Sequence, residues 1–308
     1  MILCCGEALI DMIPEPTVSG DDGYVPHTGG AIFNTAIALG RLGCRTGLLS
    51  GISTDLFGTQ LVGDLRASNV ETDRLMRSDR PTTLAFVQLT DGQASYSFFD
   101  ENSAGRMIEP SDLPQTINDV SALYFGGISL ACEPGADVYE RFAQAHAQNC
   151  IVMLDPNIRS GFIKDEAGFR HRIERMMRLS DIVKVSDEDL HWIYPGDASL
   201  DDKVAQLRAL GPSVVILTRG SAGAQAWLPN GQSVCVPSRK VEVVDTVGAG
   251  DTFNAGVLAH LSDAGLLTKN ALAKVSAQDL TDAIGLGAQV AAIVVSRAGA
   301  NPPWRSDL

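Results

Sequence analysis

Apolar, β-branched runs alternate with stretches of helical periodicity along most of the chain. Ile2–Cys5, Thr46–Gly51, Ala122–Phe125, Ile151–Leu154, Ile182–Val185 and Val214–Leu217 each predict a strand. Between them, helical patterns fall near residues 31–42, 56–68, 135–148, 167–179, 188–194 and 200–210. Regular alternation of strand and helix argues for an α/β fold: a doubly wound, mainly parallel sheet with helices on both faces. A further helical block closes the chain. Ser276 to Asp279 reads as its N-terminal cap, and Leu280, Ile284, Ala288 and Ala291 follow at helical spacing.

One segment breaks the alternation. Residues 82–99 hold two short β-like runs joined by a turn containing Asp91-Gly92, a strong hairpin signal. A hairpin inserted in an α/β chain has to project from the main sheet. Residues 14–30 are turn-rich and are expected to connect the sheet to that projection. No repeat, low-complexity tract or Pro/Gly linker divides the chain, so a single domain over 1–308 is expected, with projecting strands inserted from about 12–28 and 82–105.

Composition narrows the class. The 308 residues are 45% hydrophobic and 20% charged, ordinary for a soluble globular protein. A formal net charge of −13 argues against general affinity for nucleic acid or anionic membrane. The six cysteines form no C-x-x-C pair, and no histidine cluster completes a zinc pattern. They read as buried free thiols in a reducing cytoplasm. The N-terminus lacks the basic flank of a signal peptide, and no uncharged apolar run reaches membrane-spanning length. A cytoplasmic protein is expected.

Residues Asp245 to Phe253 read DTVGAGDTF and carry the densest chemistry. Gly248, Ala249 and Gly250 let a ligand approach the backbone closely. A helical pattern follows, with Phe253, Val257, Leu258 and Leu261 on one face. The amides of the turn therefore sit at a helix N-terminus, which favours anions. A carboxylate in an anion site is odd for folding alone, although Asp is also a favoured helix cap. It makes sense if Asp251 takes a proton from a hydroxyl as that oxygen attacks a phosphoryl group held by the turn.

This segment resembles the C-terminal signature of the ribokinase-like (PfkB) carbohydrate kinases, in which the final Asp is the catalytic base and the small-residue turn the anion hole. Further segments match in the family's order. Gly29 and Gly30 precede a helix in which Asn34 lies one turn in, placed to reach a sugar hydroxyl. Gly6 to Asp11 is similar to a segment of the family's fructokinases, where the matching Asp binds sugar hydroxyls. Asp155-Pro-Asn-Ile-Arg159 follows a strand at the carboxyl edge, where open α/β sheets bind ligands. The resemblance implies that Asn157 contacts the sugar and that Arg159 faces the sugar or the transferring phosphoryl group.

For the nucleotide, the resemblance implies Lys184, Ser186, Thr218, Gly220 and Gly223. Asp189 or Glu188 would help place Mg²⁺ through water, and Asp245 would neighbour a monovalent cation such as K⁺. The projecting strands become a lid over the sugar, with Phe99 as a substrate contact and a possible homodimer contact. The chain departs from the family's N-x-x-E pattern: Ser186 replaces Asn and Asp189 replaces Glu, which shortens the carboxylate's reach.

Missing motifs matter too. There is no G-x-x-x-x-G-K-[ST] loop, no G-x-G-x-x-G after the first strand and no G-x-S-x-G elbow. The expected function is ATP-dependent phosphorylation of a free sugar, foremost D-fructose to fructose 6-phosphate. A 2-keto-3-deoxygluconate kinase or ribokinase of the same family is the alternative; Asp100, following the Phe98-Phe99 pair, is expected to repel the carboxylate of the former's substrate. A sugar-binding regulatory protein without turnover and a dinucleotide oxidoreductase are the readings from other classes.

Overall fold

The structure is a computed structural model that describes residues 1–90 and 93–308. Seven parallel strands form the heart of a nine-stranded sheet: Val214–Thr218, Ile182–Ser186, Ile151–Asp155, Ala122–Gly126, Ile2–Cys5, Thr46–Leu49 and Val70–Glu71, in that order. Alternate side chains of one strand enter opposite layers of core. Ile2 and Cys4 pack with one cluster, Leu3 and Cys5 with the other. That explains why these runs are continuously apolar: both faces are covered. Helices Ala31–Arg41, Leu56–Ala67, Ala249–Asp263 and Ala277–Val295 cover one face; Gly135–His146, Glu166–Leu179, Asp187–Ile193 and Leu200–Arg208 cover the other. This is the expected ribokinase-like α/β architecture. Among the described residues no helix is long and apolar enough to cross a membrane.

The antiparallel edge was not anticipated. Ala224–Trp227 and Ser233–Val236 extend the sheet beyond Val214–Thr218 as a hairpin. The anticipated strand Thr46–Gly51 divides into Thr46–Leu49 and Gly51–Ser53, the second pairing with Met76–Ser78 in a separate ribbon. All six cysteines are free thiols; five are buried and Cys235 is exposed.

Residues 14–30 do more than connect. Leu9–Pro16 and Asp22–Gly29 pair antiparallel, and with Leu84–Thr90 and Gln93–Phe99 they build a four-stranded lid sheet. The Asp91-Gly92 turn lies outside the described residues. Two carboxylates anchor the lid's root. Asp55 accepts hydrogen bonds from the Thr82 amide and hydroxyl at 2.9 and 2.7 Å. Asp100 accepts from Thr83 and Ser103 hydroxyls, each at 2.8 Å, and pairs with Arg106 at 3.2 Å. The ends of four parallel strands, Ile2–Cys5, Ala122–Gly126, Ile151–Asp155 and Ile182–Ser186, thus open onto one cleft beneath the lid, the usual place for a ligand in such sheets.

Candidate active site

The helix Ala249–Asp263 opens at Gly248, whose left-handed backbone (φ 77°) favours glycine. Among the described residues, the amides of Gly248, Gly250 and Asp251 find no acceptor in the protein. That of Ala249 turns back onto the Thr246 carbonyl at 3.3 Å. Unpaired donors gathered at a helix N-terminus suit an anion. Two of the three turn residues singled out from sequence are therefore open donors, and Asp251's own amide joins them.

Asp251 stands in the first turn and is 7% exposed. Its Oδ2 accepts from Asn34 Nδ2 at 2.9 Å, and its carbonyl oxygen from Thr35 Oγ1 at 3.0 Å. Both partners lie on Ala31–Arg41, so two helices meet at this one residue. Asn34 lines the cleft as well as holding the acid through its amide nitrogen. Burial pushes the Asp251 carboxyl up to about 7; the Asn34 bond opposes this, Asp155 and Glu7 reinforce it and Arg159 opposes it.

A cleft of about 280 Å³ lies before this acid, lined by Glu7, Asp11, Gly30, Asn34, Phe98, Asn157, Arg159 and Asp251. That volume suits a monosaccharide rather than a polymer. Burial pushes Asp11 up to about 6. Gly29 stands behind it: a Cβ there would lie 2.1 Å from Asp11 Oδ2, so glycine leaves room for the carboxylate. Asn157 holds a left-handed φ of 42°, which turns the segment after Asp155 along the cleft wall.

A second cavity of about 760 Å³ lies on the other side of the turn. Thr218, Gly220 and Gly223 line it together with the polar Ser221, Ser238 and Lys240, while Val241, Phe253, Ala288, Ala291 and Ala292 give it an apolar surface. A third, of about 400 Å³, joins Arg159, Lys184, Ser186, Glu188 and Thr218. Gly250 borders all three. The open amides thus stand where the first cleft, an apolar slot and a polar channel meet.

Three features differ from expectation. Phe98, not Phe99, faces the cleft; Phe99 is 60% exposed and packs edge-on to Phe86, 5.4 Å between ring centroids. Strand alternation permits only one of the pair inside, and the lid's register chooses Phe98. Asp100 does not line the cleft and is neutralised by Arg106, so the charge repulsion expected from it does not arise there. Asp189 is committed to the backbone: Oδ1 accepts the Ile158 amide at 2.9 Å and Oδ2 the Ser186 amide at 3.4 Å. It caps its helix and pins the Asp155–Arg159 segment, leaving exposed Glu188 as the free carboxylate. Asp245 similarly accepts the Val247 and Gly299 amides, at 3.0 and 2.9 Å.

Asn254 joins Asp155 and Lys184 in the site without having been singled out from sequence. Asn254 Nδ2 donates to Asp155 Oδ2 at 2.7 Å, and Lys184 Nζ to the same oxygen at 2.9 Å. Lys184 is 5% exposed, so its ammonium is buried with that carboxylate. Burial alone would lower its ammonium, but Asp155, then Asp189, outweigh that and hold it above the lysine range. Glu7 lies within the Gly6–Asp11 segment, but a buried carboxylate held by local amides and a serine hydroxyl leaves no sequence pattern of its own.

The aromatic assignment has a direct test. Phe98→Ala is expected to raise the sugar KM about tenfold through lost wall area, with kcat changed less. Phe99→Ala should leave both within twofold, and the reverse ranking in steady-state kinetics would contradict the register.

The pfkB family carbohydrate kinase profile matches residues 1–307. A fructokinase of Rhizobium leguminosarum bv. trifolii is 50% identical over 281 residues, 91% of this chain and 85% of that protein. Among solved structures, a fructokinase from Xylella fastidiosa with bound ATP superposes with a TM-score of 0.87 at 27% identity, covering 97% of this chain and 93% of the other. A fructokinase from Vibrio cholerae O395 in fructose, ADP and calcium ion bound form gives 0.85 at 26% identity, covering 97% and 94%. Parallel sheet, lid and DTVGAGDTF turn thus occur in a chain matched over nearly its whole length, and the chain belongs to the pfkB family of carbohydrate kinases.

Proposed function

We propose that this chain transfers the γ-phosphoryl group of ATP to the 6-hydroxyl of D-fructose. The observation that carries the reading is the position of Asp251. It is a buried carboxylate between a polyol-sized cleft and a set of unpaired amides. Fructose would lie against Asp11, Asn157 and Phe98, with the reacting hydroxyl at Asp251. Carboxylates suit a polyol because each accepts two hydroxyl donors. The three carboxylates that line the cleft with Asp155, those of Glu7, Asp11 and Asp251, also disfavour an acidic sugar, with Arg159 the exposed cation among the lining residues. This charge balance replaces Asp100 as the argument for fructose over 2-keto-3-deoxygluconate, and the Rhizobium and Vibrio relatives point the same way.

Adenine would enter the apolar slot, and the phosphates would run past Thr218 and Gly220 to the turn. Among the described residues no three His, Cys, Asp or Glu side chains converge on a metal position. That fits Mg²⁺ arriving on the nucleotide's own phosphates, with Glu188 and Thr218 lining the channel beside it. The metal's contribution is to offset phosphate charge. Asp251 accepts the hydroxyl proton as the oxygen attacks, while the Gly248 and Gly250 amides and Arg159 stabilise the charge shifting on the phosphoryl oxygens. The lid exposes Tyr24 and Phe99 in an aromatic row through Phe86, which suits a second copy's lid; a monomer in sedimentation at micromolar concentration would remove that part. A cytoplasmic location accords with the free thiols.

Coupled ADP-release assays with fructose, ribose, 2-keto-3-deoxygluconate and aldohexoses test the reading. Fructose should give the highest kcat/KM. A preference for the keto acid, or sugar binding without ADP release, would overturn it.

A further inference from the structure

Glu7 is 9% exposed and lines the sugar cleft; beyond adding negative charge there, it has no part in the transfer described above. Its Oε1 accepts the Ala31 amide at 3.1 Å, and its Oε2 the Ser129 amide at 3.3 Å. Its own carbonyl accepts the Phe33 amide at 3.2 Å. Ala31 opens the helix that carries Asn34 and Thr35, both bonded to Asp251. Space is reserved for this carboxylate: a Cβ on Gly127 would lie 2.0 Å from Oε1, and Gly127 already has the left-handed φ of 66° that favours glycine. Burial raises the Glu7 carboxyl, against the pull of the Ser129 hydroxyl and then of its amide bonds.

We propose that Glu7 is the positioning residue for Asp251: one carboxylate clamps the start of the Asn34 helix to the Gly127–Ser129 turn, fixing the distance from Asn34 to the acid. The inference rests on Asp251 being the base, and it assigns a job to a residue that touches neither the transferred group nor the acid. A neutral amide cannot replace it, because an NH₂ group has no lone pair for a backbone N–H. One of the two buried donors would be left unpaired, and the helix start would shift.

The charge has a second effect. Around Asp251 stand Asp155, Glu7, Arg159, Lys184 and Tyr124; around Glu7 stand Asp251, Cys132 and Tyr139. Of these only Glu7 and Asp155 add negative charge beside the base, and Asp155 is paired with Lys184. Removing the Glu7 charge should therefore lower the proton affinity of Asp251.

Two variants separate reach from charge. Glu7→Gln should lose about 10- to 100-fold in kcat on fructose and move the acidic limb of kcat/KM to lower pH. Glu7→Asp keeps the charge but is one methylene short, so it should lose kcat with the limb unmoved. The ATP KM should hold within threefold in both. Glu7→Gln with wild-type kcat and an unmoved limb overturns the proposal. Amide hydrogen exchange on the unmodified protein adds a reading independent of any variant's folding. The Ala31 and Ser129 amides should exchange slowly although no carbonyl accepts them; fast exchange at either overturns the clamp. Wild-type turnover on fructose tests the proposed function separately: its absence refutes that reading, whereas normal turnover with an indifferent Glu7→Gln refutes only the clamp.

Discussion

Asp251→Asn should lose about 10²- to 10⁴-fold in kcat, the usual contribution of a positioned base, while fructose binding by calorimetry stays within a few-fold. Asn is isosteric and can still meet Asn34, so the cleft keeps its shape. The same variant should be more heat-stable than the wild type at pH 8. The sign follows from the titration. Burial raises the folded-state carboxyl from 3.8 to about 7, so ionisation costs stability between those values and the whole cost is present above 7. About three pH units at about 1.4 kcal/mol each put that cost on the order of 4 kcal/mol. Asn carries no charge and escapes it, so the advantage should shrink in melts at pH 5. Residual turnover within tenfold of wild type would contradict the base; a variant less stable at pH 8 would contradict the buried charge. Activity and stability are opposed at this residue, as is common where a charge is held out of water for chemistry.

Lys184→Met is expected to be the most destabilising single change in the site. It leaves the Asp155 carboxylate, 1% exposed, without its cation. Breaking a buried ion pair from one side typically costs about 3–5 kcal/mol, a fall in Tm on the order of 10 °C. Asn254 would still donate to Asp155, but a neutral amide does not offset the charge. The double variant Asp155→Asn/Lys184→Met removes both charges and should recover at least half of the loss. Because the raised Lys184 stays protonated until the pH passes the ordinary lysine range, the pair's contribution is present throughout neutral pH and is lost only on strong alkalinisation. Thermal melts of the three proteins at pH 7.5 decide it. A double variant no better than the single one would mean that packing, not charge, sets the cost.

Much of this site is legible in the sequence because its parts are local. The turn from Gly248 to Asp251 needs small residues, a helix start and an acid within four positions, and all are consecutive. Strands buried on both faces also announce themselves by continuous apolar runs. What the sequence hides is phase and distance. Choosing Phe98 over Phe99 requires the lid's register, which neither residue reports. Asp155, Lys184 and Asn254 share one oxygen although 29 and 99 positions separate the partners. Asp189 looks like a metal-directed acid until its two oxygens are seen to hold amides. The edge strands Ala224–Trp227 and Ser233–Val236 are short, and the second is half exposed, so no continuous apolar run marks them. Residues 14–30 read as turns because Pro and Gly interrupt two strands at a lid edge, where such residues are tolerated.

The pH dependence of kcat/KM for fructose, which reports the free enzyme, tests the central claim most directly. In the wild type the rate should be flat above pH 8 and fall tenfold per unit below a break near 7, the value to which burial raises Asp251. In Asn34→Ala the break should move upward, because the hydrogen bond that steadies the carboxylate is gone. A wild-type profile flat down to pH 5, or a break that ignores Asn34, would mean that Asp251 does not take the proton.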